Sequence, residues 1–160
     1  MIRTGIGQDS HRFLTDDSTK TCLIGGVSFE DVPGLASDSD GDVVLHAICN
    51  AITSLSGVQI LGALAQDLHE KEGITDSTVY LKNALDTMHR FCIEHIALSI
   101  KAKKPRIENR IEEMRAKIAS LLHINIDQVG ISATTGSGLS EVGLGEGVEC
   151  LCIITARVKN

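Results

Sequence analysis

Ile2, Thr4 and Ile6 alternate with small or polar neighbours, the two-residue period of a β-strand, which predicts a strand over residues 1–8. TCLIGGVSF, 21–29, sets a Gly25-Gly26 pair between β-formers and reads as a hairpin-like element. EDVPGLASDSDGD, 30–42, is turn chemistry throughout and predicts an exposed loop, the kind of segment that carries site residues on a rigid scaffold. From about Asp40 to Leu55 the period changes: Val44, Ile48, Ala51, Ile52 and Leu55 recur on one helical face. Ser39 or Asp40 would cap this helix, and acidic side chains suit its first turn. Residues 56–76, with Gly57, Gly62 and Gly73, are expected to be irregular.

A second helix is predicted over 77–93, capped by Asp76 or Ser77, followed by the strand IALSIKA, 96–102. Ile111, Met114, Ile118 and Leu121 then mark a third helix from Ile107 to Leu122. The last third reads as strand (129–135), glycine-rich loop (136–147) and strand (148–158). No linker, repeat or low-complexity tract interrupts the chain. Strands dominate both ends and helices interleave, so the expected class is α+β: one domain over 1–160, a single mixed sheet with helices on one face.

Composition narrows the function. Aromatic residues make up only 2%, so the core must be aliphatic and stacking platforms for single-stranded nucleic acid are scarce. A formal charge of −6 argues against a nucleic-acid or anionic-membrane surface. Lys101, Lys103, Lys104 and Arg106 nevertheless cluster, as in a small-anion loop or simply a solvated one. Cys22, Cys49, Cys92, Cys150 and Cys152 show no CxxC spacing and read as reduced, mostly buried thiols. Without a basic-then-apolar leader at its start or an apolar run of membrane length, the chain is expected in the cytoplasm.

Asp9 and His11 project from the same face of an extended chain, and His46 lies one helical turn beyond Asp42. Two imidazoles and a carboxylate form a three-ligand set that zinc accepts with one position open. On spacing alone the pattern is weak, since D-x-H pairs are common and a lone helical histidine is more often no ligand. His69, His89, His95 and His123 have no such company and are expected at the surface. Asp38, Asp40 and Asp42 invite a calcium loop but lack the full ligand ladder and its distant Glu.

Taken together and in order, GIGQDSHRF, IGGV, SDGDVVLHAICNA, KKPRI and ATTGSGL…GLGEG resemble the 2-C-methyl-D-erythritol 2,4-cyclodiphosphate synthase family over nearly the whole chain. The resemblance implies cyclisation of 4-diphosphocytidyl-2-C-methyl-D-erythritol 2-phosphate with release of CMP, in non-mevalonate isoprenoid synthesis. It implies a homotrimer with sites between subunits, Zn2+ held by Asp9, His11 and His46, and a second divalent cation, Mg2+ or Mn2+. The substrate-binding positions it implies are Asp9, Ser10, His11, Asp38, Ser39 and Asp67. The loop Ala102, Lys103, Lys104, Pro105 and Arg106 joins them, with Thr134, Thr135 and Ser137. Thr135 and Asp38 fall on the catalytic positions.

The chain departs from the family's pattern at several of these places. Asp38 stands where most members carry histidine, Ile60 replaces an aspartate that contacts the erythritol, and Ala65-Gln66 replaces an aromatic-proline pair. Ser137 takes the place of the glutamate that holds the second metal, and Leu144 and Glu141 replace residues of the trimer's central cavity. An isoprenoid diphosphate is therefore not expected in that cavity. Two other readings compete: a non-catalytic zinc- and nucleotide-binding trimer, and a zinc phosphohydrolase, which lacks an evident general base.

Overall fold

The computed structural model describes residues 1–159. Its main sheet has four strands in the order β1 (Ile2–Arg12), β6 (Gly147–Val158), β4 (Phe91–Lys101), β5 (Val129–Thr134). β6 runs antiparallel to both of its neighbours, while β4 and β5 are parallel, so the sheet is mixed. The hairpin-like element is a separate two-stranded ribbon of β2 (Cys22–Ile24) and β3 (Val27–Phe29) rather than part of that sheet. Gly25 and Gly26 both take positive φ at its turn, which is why a glycine pair stands there.

Among the described residues, five α-helices interleave with these strands: α1 (Val43–Ser56), α2 (Ala63–Glu72), α3 (Ser77–Asp86), α4 (Ile111–Leu122) and α5 (Ser140–Leu144). α1 packs on β1 and β6, α3 on α1, and α4 on β5. Along β6, Val148, Cys150, Cys152, Ile154 and Ala156 are buried under this layer, and the alternate Ile153 and Arg157 are exposed. The expected aliphatic core is present: Ile48, Ile52, Leu81, Ile96, Ile100, Met114, Ile118 and Ile154 are among its largest fully buried side chains. None of the described helices is long and apolar enough to cross a membrane.

Several expected boundaries move. Residues 56–76 are not irregular throughout, because α2 occupies 63–72. α2 buries no residue completely, so it lacks the apolar stripe that would reveal its period. The second helix ends at Asp86 rather than 93, and the strand expected from 96 begins at Phe91. The third helix opens as a 3-10 turn over Ile107–Arg110. β1 continues to Arg12, and the 136–147 loop contains α5.

α1 is capped by Asp42, not by Ser39 or Asp40, and its first turn carries no acidic residue. The Asp42 side chain accepts from the amides of Val44 and Leu45, both at 3.1 Å, and from Gly25 at 2.8 Å and Gly26 at 2.6 Å. Burial raises this carboxyl from its ordinary value, while the bonds from Gly26, Leu45 and Gly25 oppose the rise. One fully buried carboxylate thus ties the β2–β3 turn to the start of α1.

Removing it strands four backbone donors, three of them in buried bonds. Asp42→Ala should cost about 2–4 kcal/mol and lower Tm by roughly 5–15 °C. Thermal unfolding checks this, and an unchanged Tm would show that water replaces the carboxylate.

Candidate active site

Because side chains alternate along β1, Asp9 and His11 share the face on which Gly5 and Gly7 meet α1. His46 sits on the first turn of α1, 6% exposed. Asp9 Oδ2 lies 2.9 Å from His11 Nε2 and 3.0 Å from His46 Nδ1, and the two ring nitrogens are 3.2 Å apart. Burial alone would raise the Asp9 carboxyl. Hydrogen bonds to His11 and His46, with their charge, outweigh it and lower the group to about 2.

The other edge of the His46 ring settles what this cluster is suited to. Nε2 is 2.8 Å from Ser77 Oγ and 3.3 Å from Ser39 Oγ. Ser77 Oγ donates a short bond to Asp40, whose second oxygen accepts from the Ser77 amide at 2.9 Å. A hydroxyl that gives its proton to Asp40 accepts from His46, so the hydrogen-bond network assigns the proton to Nε2. Nδ1 then faces Asp9 and His11. One ligand atom from each of the three residues lies within 4.8 Å of the others. Such convergence of ring nitrogens on a carboxylate fits a cation of the zinc type, oriented by the Ser77–Asp40 pair behind it.

The same bonds remove the calcium alternative, since Asp40 is spent on Ser77 and on the Asp42 amide at 3.0 Å, and Asp42 on the cap. The thiols are not candidates either. All five cysteines are free, and burial pushes Cys22 and Cys49 up to about 12.

A cleft of about 420 Å3 opens beside the cluster, bounded by Asp38, Ser39 and Asn50 on one side and by Gln66, His69 and Glu70 of α2 on the other. Lys20 holds its loop wall, donating to the carbonyls of Leu35, Ser37 and Ser39 at 2.8, 3.0 and 2.6 Å. Burial lowers the Lys20 ammonium against the opposing charge of Asp40 and Asp38. A second, smaller pocket of about 180 Å3 gathers Ala102, Lys103, Pro105, Arg106, Thr134 and Thr135. There the Thr134 hydroxyl accepts from the Gly136 amide at 3.2 Å and the Thr135 hydroxyl from the Ser137 amide at 3.3 Å. Both hydroxyl protons remain available to a ligand.

Other sequence-implied positions lie elsewhere. Ser10 points to the opposite face of β1 from Asp9 and His11. Asp67 is exposed, paired with Lys71 at 3.1 Å, and does not line the cleft. Lys104 sits over the Phe13 ring at 5.4 Å instead of lining the smaller pocket. Ser137 is exposed with φ 50°. Glu141 binds Arg12 at 2.8 Å, and Arg12 also grips Glu146. Ile60, 2% exposed, belongs to the core. His69, expected at the surface, instead lines the metal cleft with Nδ1 enclosed and unpartnered. The pattern also leaves Lys20 and the Ser77–Asp40 pair unassigned to the site. Ser77 was legible only as a possible cap, and Asp76 takes that place.

Residues 2–157 match the YgbB family. Over 156 residues the chain is 50% identical to the 2-C-methyl-D-erythritol 2,4-cyclodiphosphate synthase of Chlamydia muridarum, covering 97% of this chain and 88% of that one. It is 49% identical to the Chlamydia caviae synthase, covering 97% and 89%. Among solved structures, the bifunctional IspDF from Campylobacter jejuni superposes with a TM-score of 0.89 at 28% identity, over 100% of this chain and 43% of that one. The Plasmodium falciparum IspF in its CDP complex gives 0.85 at 27% identity, over 99% and 97%. With its length matched end to end and its fold shared, the chain belongs to the YgbB family.

Proposed function

We propose that the protein converts 4-diphosphocytidyl-2-C-methyl-D-erythritol 2-phosphate to 2-C-methyl-D-erythritol 2,4-cyclodiphosphate and CMP. Half-identity to enzymes of that name supports the reading. The observation that carries it is the convergence of Asp9, His11 and His46 at the mouth of a cleft, with His46 held by Ser77. In the reaction an oxygen of the 2-phosphate attacks the β-phosphorus, the bond from that phosphorus to the CMP oxygen breaks, and CMP departs with the electron pair. Little covalent chemistry falls to the protein, so catalysis is positioning and charge stabilisation.

Asp9, His11 and His46 would hold Zn2+, which when bound supplies Lewis-acid polarisation of phosphate oxygens. The smaller pocket would take the cytidine diphosphate: Lys103 and Arg106 supply positive charge, and Thr134 and Thr135 donate to phosphate oxygens, Thr135 nearest the reacting group. Asp38 lines the cleft as a carboxylate. Its role there is to accept from a hydroxyl or a protonated phosphate oxygen, since it repels a bare phosphate. Around Ser137 the residues do not fit a protein-held second metal. Serine offers a neutral oxygen and Glu141 is tied to Arg12, so Mg2+ or Mn2+ there would rest on substrate phosphates and water.

Two features support a homotrimer. Asp9, Cys150, Ile100 and Ala133 align across the four strands, so the metal cluster and the threonine pocket open at the same end of the sheet. They lie at its opposite edges, three strand spacings or about 14 Å apart. An edge of one copy placed beside the other edge of the next completes the site. The sheet face turned from the helices also carries apolar surface, with Ile2 and Ile6 each 57% and Ile153 38% exposed. The single domain would work in the cytoplasm, in keeping with its free buried thiols.

Buried Ile60 and the engaged Glu141 favour one second reading, a non-catalytic zinc- and nucleotide-binding trimer. Incubation with substrate, zinc and magnesium, followed by phosphorus NMR, separates the two. Equal amounts of CMP and a cyclic diphosphate are expected. A linear product would mean hydrolysis, and unchanged substrate over zinc-loaded protein would leave the non-catalytic reading.

His46→Ala should lower zinc occupancy, measured by metal analysis, while circular dichroism shows a folded chain; full occupancy would discard the ligand assignment. Ser77→Ala keeps all three ligands but frees the ring, so zinc affinity should fall roughly 10–100-fold in competition with a chelating dye.

A further inference from the structure

Every arginine except Arg3 and Arg90 forms an ion pair among the described residues. The guanidiniums of Arg3 and Arg90 donate to no described residue, and both line the same cleft, of about 500 Å3. His89 joins them, and no acidic side chain borders the space. Leu55, Phe91 and Val158 give it an apolar wall. It lies at the far end of the sheet from the metal cluster: Arg3 precedes Asp9 by six residues on β1, about 20 Å at the rise of a strand.

α1 and α3 both end near this cleft, and cations there commonly offset helix-end carbonyls. Those carbonyls do not engage the two side chains here, because neither guanidinium makes a hydrogen bond to the backbone. The ten N–H donors of two arginines therefore have no partner among the described residues and border a shared concavity. Unpaired guanidiniums are weakly hydrated forks that match phosphate oxygens two at a time. A formal charge of −6 over the whole chain disfavours an extended polyanion, whereas a concave site of this size suits one small anion.

We propose that Arg3, His89 and Arg90 form a second anion site, which binds the phosphate or diphosphate group of a small molecule whose apolar part rests on Leu55 and Phe91. The site is independent of the metal cluster and of the cyclisation chemistry.

Isothermal titration calorimetry with inorganic pyrophosphate tests it on the full chain. Wild-type protein should bind, and Arg3→Gln/Arg90→Gln should weaken that binding at least tenfold with Tm unchanged. His46→Ala and Lys103→Ala, which alter the metal cluster and the smaller pocket where the substrate's diphosphate would bind, should keep the binding that Arg3→Gln/Arg90→Gln loses. Absence of binding to wild-type protein overturns the proposal. So does binding lost in His46→Ala or Lys103→Ala but kept in the double variant. If the double variant fails to fold, Arg3→Gln and Arg90→Gln singly should each weaken binding several-fold. A lowered Tm with unchanged affinity would assign the arginines to helix ends instead.

Discussion

A β-carbon placed on Gly7 would lie 2.2 Å from the Ala47 carbonyl oxygen and the Ala51 amide, and one on Gly5 would lie 2.3 Å from the Ala51 oxygen. These are backbone atoms and cannot step aside, so α1 lies against β1 only because two side chains are missing. The seam fixes the site. The next residues on the same face of β1 are Asp9 and His11, and the close approach sets them beside the first turn of α1. Asp42 fixes where that turn begins, which places His46 opposite them. Wider spacing would separate the three ligand atoms even with every ligand residue retained.

Three aspartates around the seam have one chemistry and three roles, assigned by their partners. Asp42 faces four amides and is structural. Asp40 faces the Ser77 hydroxyl and amide and so controls the ring of His46 at one remove. Asp9 has only imidazoles for company, which lower its carboxyl and hold an anion beside two ring nitrogens. An amide-bonded carboxylate is a poor metal ligand because its lone pairs are spent. This accounts for the cluster forming at Asp9, and not along the denser acidic run 38–42.

Much of this was legible in the sequence, and the remainder has physical reasons. The α1 face shows its period openly because it buries one side, whereas the strand at residues 2–6 shows it through Ile2, Thr4 and Ile6 on the exposed face, opposite the buried Gly5. α2 does not, since it buries none of its residues fully, only Ala65 and Leu68 packing partly on the core, and its bounding residues, Gly62 and Gly73, look like loop punctuation. The cap was misplaced because Asp40 and Asp42 offer the same chemistry two residues apart, and the Asp40 side chain indeed accepts from the Asp42 amide. The candidate metal triad of Asp9, His11 and His46 could be proposed from spacing and order. Ser77 could not: it lies 31 residues beyond His46, and only the packing of α3 on α1 brings its hydroxyl to the ring. His69 was hidden for the same reason as the helix that carries it.

The family departures divide along the same physical line. Every residue that holds or orients the metal cluster is present and satisfied: the ligands, Ser77, Asp40 and the Asp42 cap. The departures, Asp38, Ile60, Ala65-Gln66, Ser137, Glu141 and Leu144, fall outside that set. Ile60 has turned into the core, so its loss of a carboxylate leaves no unpaired group and no void. The cleft's polar character comes instead from Asn50, Gln66, His69 and Glu70, three of them on α2. Ser137 likewise leaves no stranded partner, because Arg12 already holds Glu141 and Glu146. A site decaying without selection would be expected to lose buried polar satisfaction near the ligands as readily as at the rim. The intact hydrogen-bond chain behind His46 therefore weighs toward retained metal chemistry.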